Sequence, residues 1–522
     1  MSEPSSTSTL TVAVLKRALL VVAASLGFGL VFDILFFEKA PGISFPIYIL
    51  LTFGGILSAA RLFKTKIPAS AYWVAAPLLL FSSMLFVRAG GLVTFFNFMA
   101  SLYLLALMLY LIFKPKLYTF SPQQYIAPLY EMPLQLLSRL QATITDLGIL
   151  RGVATKHKAV PQIVRGVLIA LPVLVLFVAL FSSADLVFRK YITDVFNVHF
   201  NGQFVAHGFW IIAATAVFVG VFGYLQKGPA ALSSLASKNG QAVEKPRRQG
   251  FGLTEASILF GSLNVLFLAF ILVQLAYLFG GEHNITVQGF TYAEYARKGF
   301  FELLAVAVIS FLLILGAEKA LTIKDQKHSV RFKFLSAALI LQVMVVMVSA
   351  FKRMALYESA YGFTSLRLYV QIAIVWLAVV FCILLYKIFK DQRDSTFAFL
   401  SFTSLILLLA FINIINVDAF VAHKNISRYY ATGKLDVGYL SSLSDDGVTT
   451  IITLADSKDT NLRQDIAGSL YQKRLSLQTK DRYWQSANLS RKAALKALDS
   501  KAAWIEQNKY KGLQDFVAPA ED

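Results

Sequence analysis

The segment "LYVQIAIVWLAVVFCILLY", Leu368–Tyr386, contains no charged side chain and sets the class of fold. A helix needs about 20 apolar residues to cross the ~30 Å hydrocarbon core of a bilayer. In lipid, an open strand would leave backbone amides unpaired at a cost of several kcal/mol each, so a segment of this kind crosses as a helix. We therefore predict that Leu368–Tyr386 is a transmembrane helix.

Similar apolar stretches recur along the chain. The composition agrees with a membrane protein, since 57% of the 522 residues are hydrophobic and 15% are charged, whereas a soluble globular chain carries about 25% charged residues. The sequence predicts an all-α fold, a polytopic transmembrane helix bundle of about eleven spans with a small C-terminal helical extramembrane domain. The predicted spans are residues 18–37, 40–60, 67–87, 91–113, 166–184, 203–226, 256–281, 303–317, 334–351, 368–386 and 395–417.

Changes of composition divide the chain into five parts. A segment rich in Gly, Ser, Ala and basic residues is predicted to be a flexible cytosolic loop between two groups of spans. The last part, called the tail domain below, holds 15 basic and 13 acidic residues and no spanning run, and we expect short helices with Asp445 or Asp446 as an N-cap. The five predicted parts are a cytosolic N-terminus (1–17), a bundle of six spans (18–226), the basic loop (227–252), a bundle of five spans (253–417) and a helical extracytoplasmic domain (418–522).

The distribution of lysine and arginine predicts the orientation of the bundle. These residues give a net charge of +19, but they are spread over short loops rather than gathered in one patch, which argues against binding to nucleic acid. With the N-terminus in the cytosol, inner loops carry 24 of them and outer loops carry 8, with Arg165 and Arg367 at helix mouths left out. Cytoplasmic loops of membrane proteins carry such an excess. An odd number of spans then places the tail domain outside, with the lipid bilayer around the bundle.

The sequence shows none of the familiar catalytic or cofactor-binding signatures. It has no P-loop, no HExxH and no C-x-x-C, and its six histidines are scattered without the spacing of metal ligands. We therefore expect no cofactor and no metal site, and enzymatic activity is disfavoured. The single cysteine allows no intramolecular disulfide, so the tail domain must fold without one.

A group of polar side chains near the predicted outer ends of the last four spans, and in the first residues of the tail domain, is the candidate site. Charged groups at membrane depth are costly and tend to pair or to line a wet cavity. Three interpretations stay open: anchors and ion pairs that hold helix ends, a functional pocket that opens outward, or a docking seat for the tail domain. The candidate residues are Arg297, Glu302, Arg353, Glu358, Arg367, Asn416, Asp418, Asn425 and Arg428.

The docking interpretation leads to a specific hypothesis about the tail domain. Arg428, Asp436 and Asp446 would pair with opposite charges at the mouths of spans eight to eleven and hold the tail domain as a lid. Substitution of Arg367 or Asp418 would then loosen the tail domain and expose it to protease.

Five ordered motifs resemble a bacterial family of multi-pass membrane proteins. They are "YAEYARKGFFEL" (292–303), "RMALYESAYGFTSLRLYV" (353–370), "INVDAFVAHKNISRY" (415–429), "LDVGYLSSLSDDGV" (435–448) and "YWQSANLSRKAALKAL" (483–498). The family is the domain of unknown function 4173, with a related sister family. One departure is Val417, where the resemblance leads us to expect proline. The resemblance implies an integral membrane protein of bacteria, in the cytoplasmic (inner) membrane, and implies no activity.

Three classes of function are compatible with these features. The first is a non-enzymatic sensor or scaffold of the cell envelope that binds an envelope protein through residues 418–522 and has an outward-facing polar surface. The second is a transporter of a small solute, and the third is a membrane enzyme acting on a lipid-linked substrate. Uptake of a labelled substrate would distinguish the second, and loss of function on replacing Glu302 or Asp418 without loosening of the fold would favour the third.

Overall fold

The structure is a computed structural model that describes residues 6–147, 202–230, 253–279, 300–320, 326–480 and 483–509. Within these ranges the chain forms α-helices, short 3-10 turns and connecting loops, and no strand. The prediction of an all-α fold is confirmed. The helices are α1 Ser6–Phe36, α2 Ser44–Phe63, α3 Ala69–Val87, α4 Gly91–Phe113, α5 Pro122–Asp146, α6 Gly202–Lys227, α7 Leu253–Phe279, α8 Phe300–Ala320, α9 Gln326–Tyr361, α10 Ser365–Lys390, α11 Asp394–Ile415, α12 Val417–Thr432, α13 Val437–Ser442, α14 Val448–Ile451, α15 Thr460–Lys480, α16 Leu489–Ser500 and α17 Ala502–Asn508.

Nine helices in the described ranges are long and apolar enough to cross a bilayer, so the protein is a multi-pass membrane protein. The span predicted at 303–317 lies within α8, and the span predicted at 166–184 lies outside the described residues. The nine spans are Val14–Phe36, Ser44–Phe63, Ala69–Val87, Gly91–Phe113, Ala206–Lys227, Glu255–Gln274, Val330–Tyr361, Ser365–Lys390 and Asp394–Ile415.

Helix α9 is longer than the sequence predicted. The predicted span, 334–351, ends at Phe351, and the polar segment that follows is predicted to lie at the outer mouth of the helix. The helix instead continues to Tyr361. At 1.5 Å per residue, the 32 residues Val330–Tyr361 of α9 are about 48 Å long, more than the ~30 Å hydrocarbon core. The polar segment is therefore helical and projects toward the end of the bundle that carries the tail domain.

Buried apolar side chains form three clusters. One gathers side chains from α1 to α6 and includes Ala398 of α11. A second gathers side chains from α7 to α11. The third belongs to the tail domain and also takes in Val93 of α4 and Ile412 of α11. Helix α11 contributes to all three clusters and so joins them.

Helices α1 and α6 approach each other closely where α1 carries a glycine. The rings of Phe28 and Phe218 stack with centroids 4.4 Å apart. Beside them, a Cβ on Gly29 would lie 2.6 Å from the backbone oxygen of Ile211 and would also meet the Thr215 hydroxyl. Two backbones can approach this closely only where a side chain is absent, which is why small residues are frequent at helix interfaces in membranes.

We expect Gly29→Ala to lower the free energy of unfolding by about 1 to 2 kcal/mol, because the added methyl group forces α1 away from the α6 backbone. Gly27→Ala is the matched control, since a Cβ there has no atom within 4 Å among the described residues. The midpoint of thermal unfolding of each variant in detergent measures the difference. Equal midpoints for the two variants would contradict this packing.

Helix α5 packs along the bundle on α6. The helical spacing of Leu136, Leu140 and Leu147 in the sequence predicts an amphipathic helix over 133–150, whose apolar face either packs on neighbouring helices or contacts lipid. Leu140 is buried, and a Cβ on Gly220 of α6 would lie 2.7 Å from the backbone oxygen of Leu136. Helix α5 also exposes apolar side chains such as Ile126 and Leu129. Helix α5 can therefore contact both a neighbouring helix and lipid. The sequence predicts a second amphipathic segment at 184–198, which lies outside the described residues.

The tail domain follows α11 without a loop. Asn416 takes a left-handed conformation (φ 54°) that ends α11, and its side chain accepts the Ala419 N–H at the start of α12. Val417 is the first residue of α12, a position where proline is also tolerated, so the departure from the expected proline leaves the turn intact. Inside the tail domain, the buried Asp445 pairs with Lys473 at 3.0 Å.

An apolar stripe through Leu495, Leu498 and Ile505 predicts one longer helix over about 481–508, but this helix is divided in the structure. A 3-10 turn, Trp484–Ser486, precedes α16, and Lys501 separates α16 from α17. Elsewhere in the tail domain, Tyr429 of α12 donates a hydrogen bond to Asp459, and this bond holds the pKa of the Asp459 carboxyl below its usual range. The first helix of the tail domain is thus tied to the loop that precedes α15.

The two ends of the bundle differ in what covers them. The tail domain covers the end where α3 passes into α4, α9 into α10, and α11 into α12, called the tail end. The other end, called the basic end, carries the α2–α3 loop, the C-terminus of α6 and the α10–α11 loop. Its described cations include Arg61, Lys64, Lys66, Lys114, Lys116, Lys227, Arg331, Lys333, Lys387, Lys390 and Arg393.

Candidate functional site

The candidate site is the contact between the tail domain and the tail end of the bundle. Several helices begin or end there, and each helix end leaves backbone N–H or C=O groups without partners inside the helix. A covering domain removes water from these groups, so they must find partners in the tail domain or in each other.

Asp446 caps the start of α4. Its Oδ2 accepts hydrogen bonds from the backbone N–H groups of Ala89 (2.9 Å) and Gly90 (2.7 Å). Gly90 is the N-cap position of α4, and the Asp446 side chain is 5% exposed. The N-terminus of a helix carries a partial positive charge that stabilises a nearby carboxylate. This buried contact joins the tail domain to a loop more than 350 residues earlier in the sequence.

Asp418 joins three segments beside it. Its Oδ1 accepts from the Ser365 hydroxyl at 2.5 Å, and its Oδ2 accepts from the Ser444 N–H at 3.2 Å. The Ser365 N–H in turn donates to the Tyr439 hydroxyl at 2.7 Å. Asn416 donates its side-chain amide to the Asp446 carbonyl at 3.4 Å. Asp418 and Asn416 therefore connect α10 and α12 with the segment that carries Asp446.

The turn between α9 and α10 is held by α12. Asn425 makes a pair of hydrogen bonds with Phe363: its Oδ1 accepts from the backbone N–H and its Nδ2 donates to the carbonyl, both at 2.8 Å. Arg428 donates to the carbonyls of Ser359 (3.0 Å) and Ala360 (2.7 Å) at the end of α9. Gly362 has φ 90°, a conformation that favours glycine. Asn425 and Arg428 thus replace the partners that the end of α9 lacks.

Arg367 and Glu358 lie under this turn. Arg367 donates to the Gly362 carbonyl at 2.6 Å and its guanidinium carbon lies 4.1 Å from the centre of the Tyr357 ring. Glu358 is 2% exposed, and its Oε2 accepts from the Gln371 amide at 2.7 Å. Its Oε1 has no hydrogen-bond donor among the described residues. A buried carboxyl group inside the bundle is thus only half satisfied.

The structure brings six of the nine predicted site residues together and separates the others. Arg353 is 7% exposed, and it donates to the Gln274 side chain of α7 at 2.9 Å, deeper in the bundle than the α9–α10 turn. Glu302 is exposed in the first turn of α8, and no described hydrogen bond or ion pair joins it to the other candidates. Arg297 lies outside the described residues. The six at the tail end are Glu358, Arg367, Asn416, Asp418, Asn425 and Arg428.

Three residues outside the predicted site set complete the contact, and of these only Asp446 has a part in the lid hypothesis. Arg88 donates from Nε to the Asn413 carbonyl at 2.8 Å and so caps the end of α11. Asn488 is 1% exposed and donates to the carbonyls of Leu85 (3.1 Å) and Arg88 (2.9 Å) at the end of α3. Asp446 is the third. Each partner lies more than 300 residues away in sequence, so no local pattern indicates the pairing.

The lid hypothesis predicted the wrong kind of contact. It expected Arg428, Asp436 and Asp446 to pair with opposite charges at the mouths of the spans. Arg428 and Asp446 bind backbone groups instead, and Asp436 caps α13 of its own domain by accepting the Tyr439 N–H. Asp446 also does not cap a helix of its own domain, because the Ser444 hydroxyl takes that role. Among the described residues, the tail domain is fastened to the bundle by hydrogen bonds to helix ends rather than by ion pairs.

The chemistry available at this contact is hydrogen bonding between side chains and backbone. Asp446, Asn425, Arg428 and Asn488 each use their polar atoms on backbone groups of the bundle. In the described part of the chain, no three His, Cys, Asp or Glu side chains are grouped to hold a metal ion. The arrangement is suited to fixing one domain on another.

These features define a class: a multi-pass helical membrane protein with a helical extramembrane domain seated on one end of its bundle. The chain belongs to a family named Domain of unknown function (DUF4153), which matches residues 75–454. The sequence motifs resemble a family of a different number, so the resemblance is confirmed only as far as a domain of unknown function. No curated protein and no solved structure matches the chain.

The matched region contains most of the contact described above. It begins within α3 and ends at Leu454 of the tail domain, so it includes Gly90, Asp418, Asn425 and Asp446. Asn488 and the motif at 483–498 lie beyond it. The family region therefore includes both partners of the Asp446 cap.

Proposed function

We propose that the chain is a non-enzymatic scaffold of the bacterial cytoplasmic membrane that holds its tail domain in a fixed orientation outside the cell membrane for an envelope protein partner. One observation carries this proposal. The polar side chains of the candidate site cap helix ends of the bundle, and Asp446 does so while buried. A domain fastened through buried caps at several points is held rigidly, as a surface displayed to a partner requires.

The proposed orientation rests on the charges of the two ends. The basic end carries most of the described lysines and arginines of the bundle, and the tail end carries few. The excess of cations in the cytoplasmic loops of membrane proteins supports a cytosolic basic end. The tail domain then lies on the extracytoplasmic side.

Photo-crosslinking in living cells tests the scaffold. A crosslinking amino acid in place of Tyr430, which is 66% exposed on α12, is expected to give a discrete adduct with one envelope protein. The same substitution at Trp73, which is 78% exposed on α3, is the control and is expected to give lipid adducts only. Asp446→Ala, which unseats the domain, is expected to lower the yield of the protein adduct. Absence of the adduct, or a yield that Asp446→Ala leaves unchanged, would refute the proposal.

A transporter is the second candidate, and Glu358 favours it. A carboxyl group buried inside a span is costly, and such groups often bind protons or substrates in transporters. The unsatisfied Oε1 of Glu358 would be the proton-binding atom. The scaffold proposal instead assigns Glu358 to the support of the α9–α10 turn through Gln371.

Glu358→Gln separates the two candidates, because glutamine keeps the size of the side chain and removes its charge. The scaffold proposal expects the Tyr430 adduct to form at an unchanged yield. A proton-coupled transporter would lose uptake, measured as pH-gradient-driven accumulation of labelled solutes in liposomes that contain the full chain. If the unaltered protein takes up a solute and Glu358→Gln abolishes this uptake, the transporter function would replace the scaffold function.

A further inference from the structure

A cavity of about 480 Å³ opens at the basic end, between the end of α2 and the start of α3. Arg61, Lys64 and Lys66 line it together with Thr65 and Tyr72. It lies at the opposite end of the bundle from the tail domain and shares no residue with the candidate site. Cavities of this size fall in the range of ligand sites, about 300 to 1,000 Å³.

The backbone that carries these cations is fixed. Lys64 ends α2 in a left-handed conformation (φ 56°), and the Thr65 N–H donates to the Ala60 carbonyl at 2.8 Å. The Thr65 hydroxyl donates to the Leu225 carbonyl of α6, also at 2.8 Å. The loop is thus attached both to its own helix and to a neighbouring one. The three cations extend from a defined loop.

The three cations differ from others at the basic end in their partners. Lys227, Lys333 and Lys387 each pair with a carboxylate. Arg61, Lys64 and Lys66 are exposed, and none of them forms an ion pair with a carboxylate of the described residues. Three unneutralised positive charges around one cavity favour an anionic ligand.

We propose that this cavity binds the phosphate group of an anionic ligand, with Arg61, Lys64 and Lys66 as the charged contacts. Arginine forms paired hydrogen bonds with phosphate oxygens, and lysine acts as a point charge. The cavity's surroundings favour a phospholipid headgroup as the source of the phosphate. Leu62 (57% exposed) follows the lining residue Arg61, and Trp73 (78% exposed) follows the lining residue Tyr72. Tryptophan is enriched at the interface between membrane and water. Basic pockets between helices on the cytoplasmic side bind anionic headgroups.

Native mass spectrometry of the full chain in detergent tests the site. The probe is dioleoylphosphatidylglycerol, which is anionic, and the comparison is dioleoylphosphatidylcholine, which is zwitterionic and has no net charge. The site variant is Arg61→Gln/Lys64→Gln/Lys66→Gln. The matched control is Lys116→Gln/Lys390→Gln/Arg393→Gln. It also replaces one arginine and two lysines, at exposed positions of the same end of the bundle. We expect one tightly bound phosphatidylglycerol on the unaltered protein and on the control variant. The affinity of the site variant for this lipid should be lower by a factor of at least about ten.

Four outcomes are informative. Selective loss in the site variant supports the lipid headgroup. Displacement of the bound lipid by millimolar inorganic phosphate, with the same dependence on the three cations, supports the phosphate site and assigns it to a soluble phosphate. Equal losses in the site and control variants would show general surface attraction and overturn the proposal. Equal affinity for phosphatidylglycerol and phosphatidylcholine would also overturn it.

Because all the replaced side chains are exposed, the thermal unfolding midpoint of the variants is expected to be unchanged. Salt titration of lipid binding to the unaltered protein checks the charge dependence without any variant.

Discussion

Replacement of Asp446 by alanine is expected to detach the tail domain from the bundle. The change leaves two N–H groups at the start of α4 without an acceptor, one of them on the buried Gly90. A buried donor left unpaired costs about 1 to 3 kcal/mol, and the lost carboxylate at a helix N-terminus costs up to about 2 kcal/mol. We expect the docking free energy to fall by about 2 to 4 kcal/mol. Limited proteolysis of the full chain would then cleave the tail domain about 30-fold faster or more, since cleavage follows the population of the open form.

Asp456→Ala is the matched control for this experiment. Asp456 is another aspartate of the tail domain, with a side chain that is 65% exposed and paired with Lys501. Exposed pairs contribute about 0 to 1 kcal/mol, so its cleavage rate should stay close to that of the unaltered protein. Similar rates for Asp446→Ala and Asp456→Ala would show that the cap does not hold the tail domain.

Gly42→Ala is expected to displace the second half of the tail domain. A Cβ on Gly42 would lie 2.5 Å from the Ala487 backbone oxygen and 2.5 Å from the Ser486 carbonyl carbon. Neither atom belongs to a flexible side chain, so the segment itself must move, and the hydrogen bond from the Ile43 N–H to the Ala487 carbonyl (3.0 Å) is lost with it. Forced overpacking of this kind costs about 3 kcal/mol at the upper end of its usual range.

Hydrogen exchange of residues 483–509 in the full chain measures this displacement. Faster exchange is expected in Gly42→Ala across α16, and unchanged exchange in the α1 to α4 spans. Gly91→Ala is the control, because Gly91 lies at the same end of the bundle and a Cβ there has no described atom within 4 Å. Unaltered protection of α16 in Gly42→Ala would contradict the observed contact.

The spans could be predicted from the sequence because they depend on a local property. An uncharged run of spanning length must be a helix whatever its neighbours are, and Leu368–Tyr386 lies within α10 as predicted. The extension of α9 was missed for the same reason. Phe351–Tyr361 is too polar to be counted as a span, but it continues an existing helix at little cost.

The candidate site could be predicted only in part. Asn416 and Asp418 were found because they end an apolar run, and the polar segment 351–367 was found for a similar reason. Their partners were not found. Asp446 was read as a cap for its own domain, since sequence shows that an aspartate suits a helix start but not which helix start. The match with α4 depends on how two segments pack, which one sequence does not show.

The expectation of ion pairs at the tail end failed for a physical reason. Charged side chains suggest charged partners, but helix ends present unpaired backbone groups wherever they are covered. Those groups have no signature in the sequence. Arg428 therefore binds the carbonyls of Ser359 and Ala360, although the acidic residue Glu358 lies on the same helix as these carbonyls.

We propose that the tail domain is fixed at the extracytoplasmic end of the bundle in the cytoplasmic membrane, and single-cysteine labelling tests this orientation most directly. Cys382 is the only cysteine, so Cys382→Ser gives a background without thiols. Lys458→Cys then marks the tail domain and Lys390→Cys marks the basic end, both at exposed positions. With a membrane-impermeant maleimide, Lys458→Cys is expected to react in intact cells and Lys390→Cys only after the membrane is opened. Labelling of Lys390→Cys in intact cells, with Lys458→Cys protected, would contradict the account.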